Sequence, residues 1–240
     1  MTSVVVKTQP PTNPPNGGRP MPRLQNGDRL SKAEFLRRYE AEKDVNKAEL
    51  IGGTVFIGSP VSWEHAAPHG RLMGWLNIYS FATSVVAILD NLTIDFGLGE
   101  VYQPDAVLCL LAEYGGRLHR GERSVAQGAP ELVAEVANSS ASLDMNDKYR
   151  VYRDSGVEEY LVWRVAEEAI DWFVLDDGEY RPLSPDADGV LRSRRFPGLW
   201  LDPAALLADD RARIKAVAEE GLRSEEYAAF VKGLDGVKTA

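Results

Sequence analysis

Val101-Tyr-Gln-Pro-Asp-Ala-Val-Leu-Cys-Leu-Leu111 and Pro130-Glu-Leu-Val-Ala-Glu-Val-Ala137 are two apolar runs of strand length, each with one acid set inside it, Asp105 and Glu135. Neither run alternates polar with apolar residues, so neither has a wet face. Both are expected as central strands of a sheet covered on both sides. A carboxylate in such a strand is costly unless a partner compensates its charge. The two acids therefore need a reason to be there.

Downstream of the second run, Asn138-Ser-Ser-Ala-Ser-Leu-Asp-Met-Asn-Asp-Lys148 leads into a helix expected from about Ser142 or Asp144 to Ser155, stopped at Gly156. Val157 to Trp163 then reads as another strand. A strand, helix and strand in this order form a right-handed crossover, so the Glu135 and Tyr160 strands should be parallel. Upstream, strands at Ser84–Leu89 and Leu92–Phe96 are expected to turn at Asp90-Asn91, with the Val101 run as a third. Trp63 to Thr83 carries the apolar spacing of a well-buried helix, with Pro68 near its start. Lys47–Ile51 and Thr54–Ile57 around Gly52-Gly53 read as a hairpin, as do Ala169–Leu175 and Glu179–Leu183 around Asp176-Asp-Gly178. Ser31-Lys-Ala-Glu34 has the form of a capping box, and Asp202-Pro203 that of a helix start.

The composition fits one folded unit with tails. Residues 1–28, rich in Pro and Gly, are expected to be a disordered arm, residues 29–206 the domain, and residues 207–240 a helical tail that is mostly solvated or faces another copy. No apolar run reaches the roughly 18 to 20 residues of a membrane span, and the expectation is a cytoplasmic protein with no membrane partner. Cys109 is the only cysteine, which excludes an internal disulfide and a Cys-based zinc site. The formal net charge of −9 is the wrong sign for a protein that binds nucleic acid through a global basic excess. Two local basic clusters stand against it, Arg117, His119, Arg120 and Arg123 in one loop and Arg192, Arg194 and Arg195 in another, though solvated surface explains each at least as well. The five tryptophans, Trp63, Trp75, Trp163, Trp172 and Trp200, are expected in the core.

On neighbouring strands, Asp105 and Glu135 would repel each other unless a cation stood between them. Their hard oxygens suit Mg²⁺ or Mn²⁺, which retain several waters and take one or two carboxylates. Lys148 shares a helical face with Asp144, from which its ammonium group could orient a water or offset charge on a phosphate. The plain alternative is a buried Asp, Glu and Lys network without chemistry. Repulsion between the acids further predicts that Asp105→Asn leaves the metal-free protein as stable or more so.

The ordered set Glu49-Leu-Ile-x-Gly-x-Val55, Ser59-Pro60, His65, Gln103-Pro-Asp105, Pro130-x-Leu-Val-x-Glu-Val136, Ser139 or Ser140, Asp144-x-x-x-Lys148, Tyr152 and Gly156-Val-x-Glu-Tyr160 resembles the Uma-two family of restriction-endonuclease-like proteins, within the PD-(D/E)XK nuclease superfamily. The resemblance spans roughly Arg29 to Leu206. It implies a restriction-endonuclease-like α/β fold, a mixed central sheet flanked by helices, with an N-terminal hairpin and a C-terminal helical extension. It also implies Mg²⁺-dependent hydrolysis of DNA, with Asp105 and Glu135 as metal ligands, Glu49 as a further acid, Lys148 as the catalytic lysine and His65 as an accessory. Two positions depart from the pattern. Ala137 stands where the superfamily's lysine is commonest, and Asn138-Ser139-Ser140 replaces a Ser-Pro-Ser type of turn. Cutting both strands with one site per chain would favour a homodimer. The competing expectation is a non-catalytic protein of the same fold, acting as a binding or assembly module.

Overall fold

A computed structural model describes residues 21–121, 125–138 and 144–235. Residues 1–20 of the expected arm, Arg123, Ser139, Ser140, the side chain of Asp144 and the last five residues of the expected tail lie outside the described residues.

The first helix among the described residues is α1 (Lys32–Ala41), and the Ser31 hydroxyl accepts from the Glu34 amide as an N-cap. Strands β1 (Ala48–Ile51) and β2 (Thr54–Ile57) form the expected hairpin. Its turn residues Gly52 and Gly53 take φ of 56° and 74°, which a side chain would disfavour. Helix α2 (Trp63–Ala82) runs unbroken through Pro68 and buries Leu72, Trp75, Leu76 and Tyr79. Then come β3 (Val86–Asp90), β4 (Ile94–Asp95), β5 (Val101–Tyr102), β6 (Ala106–Leu110), β7 (His119–Arg120), β8 (Ala126–Gln127) and β9 (Leu132–Ala137). A π-helical turn (Asp144–Lys148) leads into α3 (Tyr149–Asp154). Strands β10 (Glu159–Arg164), β11 (Ala169–Asp176), β12 (Glu179–Pro182), β13 (Leu191–Arg192) and β14 (Trp200–Leu201) follow, and α4 (Pro203–Leu207), α5 (Arg211–Gly221) and α6 (Glu225–Asp235) end the fold.

The expected mixed sheet flanked by helices is present, but there are two large sheets rather than one. The first has the order β2-β1-β5-β4-β8-β7 and the second β12-β11-β10-β9-β6-β3. Each is mixed, with one parallel pair: β4 with β8, and β9 with β10 as the crossover required. The Val101–Leu111 run is not one strand. Pro104 lacks the N–H a ladder needs, so the chain leaves the first sheet after Tyr102 and enters the second at Ala106. The Asp90-Asn91 turn likewise joins no hairpin: β3 pairs with β6, whereas β4 pairs with β5 in the other sheet.

Alternation along the strands of the second sheet divides the core. Leu108, Leu110, Leu132, Ala134 and Val136 face α2 and the C-terminal helices. Val107, Cys109, Val133 and Ala137 face the other way, toward Ile94, Phe96, Tyr102 and Tyr152. Four tryptophans are core residues as expected, but Trp63 is 81% exposed at the first position of α2. Packing also begins earlier than residue 29, since Leu24 is buried and Gly27 and Asp28 bond to Val55. Helix α5 is not a solvated tail: Ile214, Val217 and Ala218 are buried. Among the described residues no helix is long and apolar enough to cross a membrane.

Candidate active site

The ladder between β6 and β9 brings the two acids together. Ala106 pairs with Ala134 and Val107 with Val133, so one step further places Asp105 opposite Glu135. Both belong to the set of alternate residues that faces away from α2, and both are buried. The Asp105 amide approaches Glu135 Oε2 at 3.4 Å, and Asp105 Oδ2 accepts from the Val136 amide at 2.9 Å. The break at Pro104 leaves Asp105 just outside regular pairing, free of a strand's register on its N-terminal side.

Glu49, Lys148 and His65 converge on the same place from three other elements. Lys148, at the end of the π-helical turn, donates to Glu135 Oε1 at 3.0 Å and lies 3.2 Å from Glu49 Oε1. Glu49, on β1, also accepts from the Gln103 amide at 2.8 Å, so it ties the hairpin to the kink beside Asp105. His65, on the first turn of α2, has Nδ1 3.1 Å from the Val136 carbonyl. A carbonyl only accepts, so Nδ1 carries the proton there and Nε2 is turned toward Asp105 Oδ2, 3.6 Å away. All five residues named from the sequence thus line one cleft of about 560 Å³.

Three further residues belong to this constellation that sequence reasoning did not assign. Lys47 donates to Asp105 Oδ1 at 2.8 Å. Tyr152 donates to Glu135 Oε1 at 2.7 Å. His69 lies with Nε2 3.0 Å from the Asp105 carbonyl and 3.2 Å from Asp90 Oδ1, its ring stacked on His65. Their spacing agrees with these positions once the fold has placed a neighbour in the site. Lys47 and Glu49 are two apart along extended chain and so share a face. Lys148 and Tyr152, like His65 and His69, are four apart, one helical turn.

Burial alone would push the Asp105 carboxyl up, but the charge and hydrogen bond of Lys47, the Val136 amide and the charge of Lys148 together hold it below its ordinary value. Burial would likewise lower the Lys47 ammonium, yet Asp105 and Glu135 raise it. The Tyr152 hydroxyl is pushed well up by burial and by the neighbouring Glu135 and Glu49, so it stays a donor. Counted as charges, Glu49, Asp105 and Glu135 against Lys47 and Lys148 leave the cluster with one net negative charge.

The donor chemistry fits a hard divalent ion. Two acids stand opposite each other across a ladder and line the same cleft, in a cluster with one more carboxylate than ammonium group. Among the described residues no group of three or more Asp, Glu, His or Cys side chains encloses a metal position by itself. An ion here would therefore complete its coordination with water and substrate, as Mg²⁺ ordinarily does. Among the described residues, two members of the basic clusters are held by the fold: Arg117 donates to the Gly156 carbonyl and pairs with Glu158, and Arg192 stacks on Trp200.

A family model described as "Uma2: Putative restriction endonuclease" matches residues 33–204. A crystal structure described as "a putative nuclease belonging to DUF820", from Anabaena variabilis, is similar to this chain in fold. The TM-score is 0.59 and the identity 17%, over 75% of this chain and 98% of that one. No curated protein matches the chain.

Proposed function

The chain belongs to the Uma2 family, and from that premise we propose that it is a nuclease that hydrolyses phosphodiester bonds of DNA with the help of Mg²⁺ or Mn²⁺. The observation that carries this reading is the meeting of Asp105 and Glu135 across the β6–β9 ladder, with Lys148 on Glu135 and a cleft beside them. Asp105 and Glu135 are the residues that would hold the ion. Bound there, it would supply Lewis acidity toward a phosphate oxygen and a lowered pKa for an attacking water.

The remaining residues prepare the site. The Val136 amide bonds Asp105 Oδ2 and favours the ionised form that a metal ligand must have, while Lys47 balances that charge on Oδ1. Lys148 and Tyr152 both hold Glu135 Oε1 and fix the rotation of that carboxylate. Glu49 anchors Lys148 from the opposite side, so the ammonium group is placed to orient water or to offset charge developing on the phosphate. His65 bridges Asp105 and the Val136 carbonyl and so steadies the strand ends that carry the site. Cleavage of both strands of a duplex by one site per chain calls for two copies related by a two-fold axis.

The test is incubation of purified protein with supercoiled plasmid and short duplexes in Mg²⁺ or Mn²⁺. Wild type should cut only with metal, and Asp105→Asn and Glu135→Gln should each lower the rate by at least about a hundredfold, the scale on which lost transition-state stabilisation usually shows. Cutting that survives either change removes that residue from the mechanism. A second reading, a non-catalytic module of the same fold, draws support from the formal charge of −9 and from the lysines that already answer both acids. Thermal unfolding separates the two. Mn²⁺ at a hundred times its Kd should stabilise wild type by about 2.7 kcal/mol and leave Glu135→Gln unmoved.

A further inference from the structure

The two lysines of the site are held very differently. Lys148 is only 4% exposed, set between Glu49 and Glu135. Lys47 is 30% exposed and lines the cleft, with its ammonium 2.8 Å from Asp105 Oδ1. Its stem lies along Gly58, the residue that faces it across the hairpin. A Cβ at Gly58 would stand 3.0 Å from Lys47 Cβ and 3.3 Å from its Cγ. The Gly58 amide donates to the Lys47 carbonyl at 2.9 Å, which fixes the backbone beneath the stem. The glycine thus leaves a shallow trough in which a long side chain lies flat, with its charged end at the cleft wall.

Asp105 is answered by a cation that water can reach, at the end of four flexible methylenes. A divalent ion on the same carboxylate would repel that ammonium group at close range. The side chain can then turn toward the open cleft, where a phosphodiester would lie. We infer that Lys47 is a displaceable counter-ion: it balances Asp105 while the site is without metal, and it passes to the substrate phosphate when Asp105 takes up the divalent ion. The inference rests on the nuclease reading above and adds to it a residue that contacts substrate.

Two measurements on the full chain test it. Titration calorimetry with Mn²⁺ alone, without DNA, should give about tenfold tighter binding for Lys47→Met, because a competing cation is gone. Lys47→Arg should bind Mn²⁺ more weakly than wild type, since a guanidinium grips a carboxylate with two donors. Cleavage of a short duplex should run the opposite way for Lys47→Met, with kcat/KM down at least thirtyfold. Tighter metal binding together with slower cutting is not what loss of a merely structural contact produces. If Lys47→Met does not fold, Lys47→Arg decides: Mn²⁺ affinity equal to wild type overturns the inference. Wild type that binds Mn²⁺ and cuts, beside a Lys47→Met that does both equally well, overturns it and leaves the nuclease reading standing. Wild type that neither binds Mn²⁺ nor cuts removes both.

Discussion

Asp105 lies 2.8 Å from the Lys47 ammonium and accepts the Val136 amide at 2.9 Å. Those partners change what its removal does. Repulsion between two acids predicted that Asp105→Asn would leave the metal-free protein unchanged or more stable. The geometry reverses that expectation, because the repulsion is already offset and the substitution leaves a part-buried ammonium group without its anion. Asp105→Asn should lose about 1–3 kcal/mol in metal-free buffer, measured by urea unfolding. Equal stability would mean that Lys47 finds water or Glu135 instead. The acids were legible one by one, since each interrupts an apolar strand. Lys47 was not, because a lysine at the edge of a hairpin is ordinary until the fold shows what it touches.

The strand ends and turns do most of the placing. The Pro104 break converts one expected strand into two, in different sheets, and sets Asp105 at the crossing point. A proline's missing donor is visible in sequence, but which sheet each half joins depends on partners far along the chain. Strand β10 is anchored by a further buried acid, Glu159, that has no part in the cleft. Glu159 accepts from the Trp172 indole at 3.1 Å, the Ser193 hydroxyl at 2.8 Å and the Arg194 and Arg195 amides at 2.7 and 2.8 Å. Burial pushes its carboxyl above the ordinary value against the pull of those donors. An acid whose value rises on folding binds its proton more tightly in the folded state. Its contribution is complete below the unfolded value and is lost as pH rises through the folded one. The stability gap between wild type and Glu159→Gln should therefore narrow as pH rises through and above the ordinary glutamate range. Thermal unfolding of both proteins across that range reads it, and a gap that widens would show that the donors outweigh burial. Trp63 marks the opposite limit of sequence reading. Its aromatic ring made it a core candidate, yet it opens α2 with its side chain in solvent, because the first buried residue of that helix is Pro68, five positions on.

Across the whole molecule, the C-terminal helices close the core on which the second sheet rests. Tyr227 donates to the Ala82 carbonyl at 2.7 Å, and the Trp200 indole donates to Glu226 at 2.8 Å, so α6 is tied to α2 and to β14. Gly221 marks the closest approach: a Cβ there would run into the Gly198 carbonyl and the Trp200 ring. Gly221→Ala should destabilise by about 1–3 kcal/mol in thermal unfolding, the usual cost of overpacking, although alanine is the better helix former. A gain in stability would mean that the contact yields without cost. The sequence alone determined the α/β character, the parallel β9–β10 crossover, the hairpins at Gly52-Gly53 and Asp176-Asp-Gly178, and the identity of five cleft residues. Each of these rests on local pattern or on a motif whose parts keep their order along the chain. Tertiary structure alone decided that there are two sheets, that Asp105 faces Glu135, and that Lys47, Tyr152 and His69 complete the site. The physical reason is that pairing register and hydrogen-bond partners are fixed by contacts between segments distant in sequence. Side chains 58 residues apart, as Lys47 and Asp105 are, carry no local sign of one another.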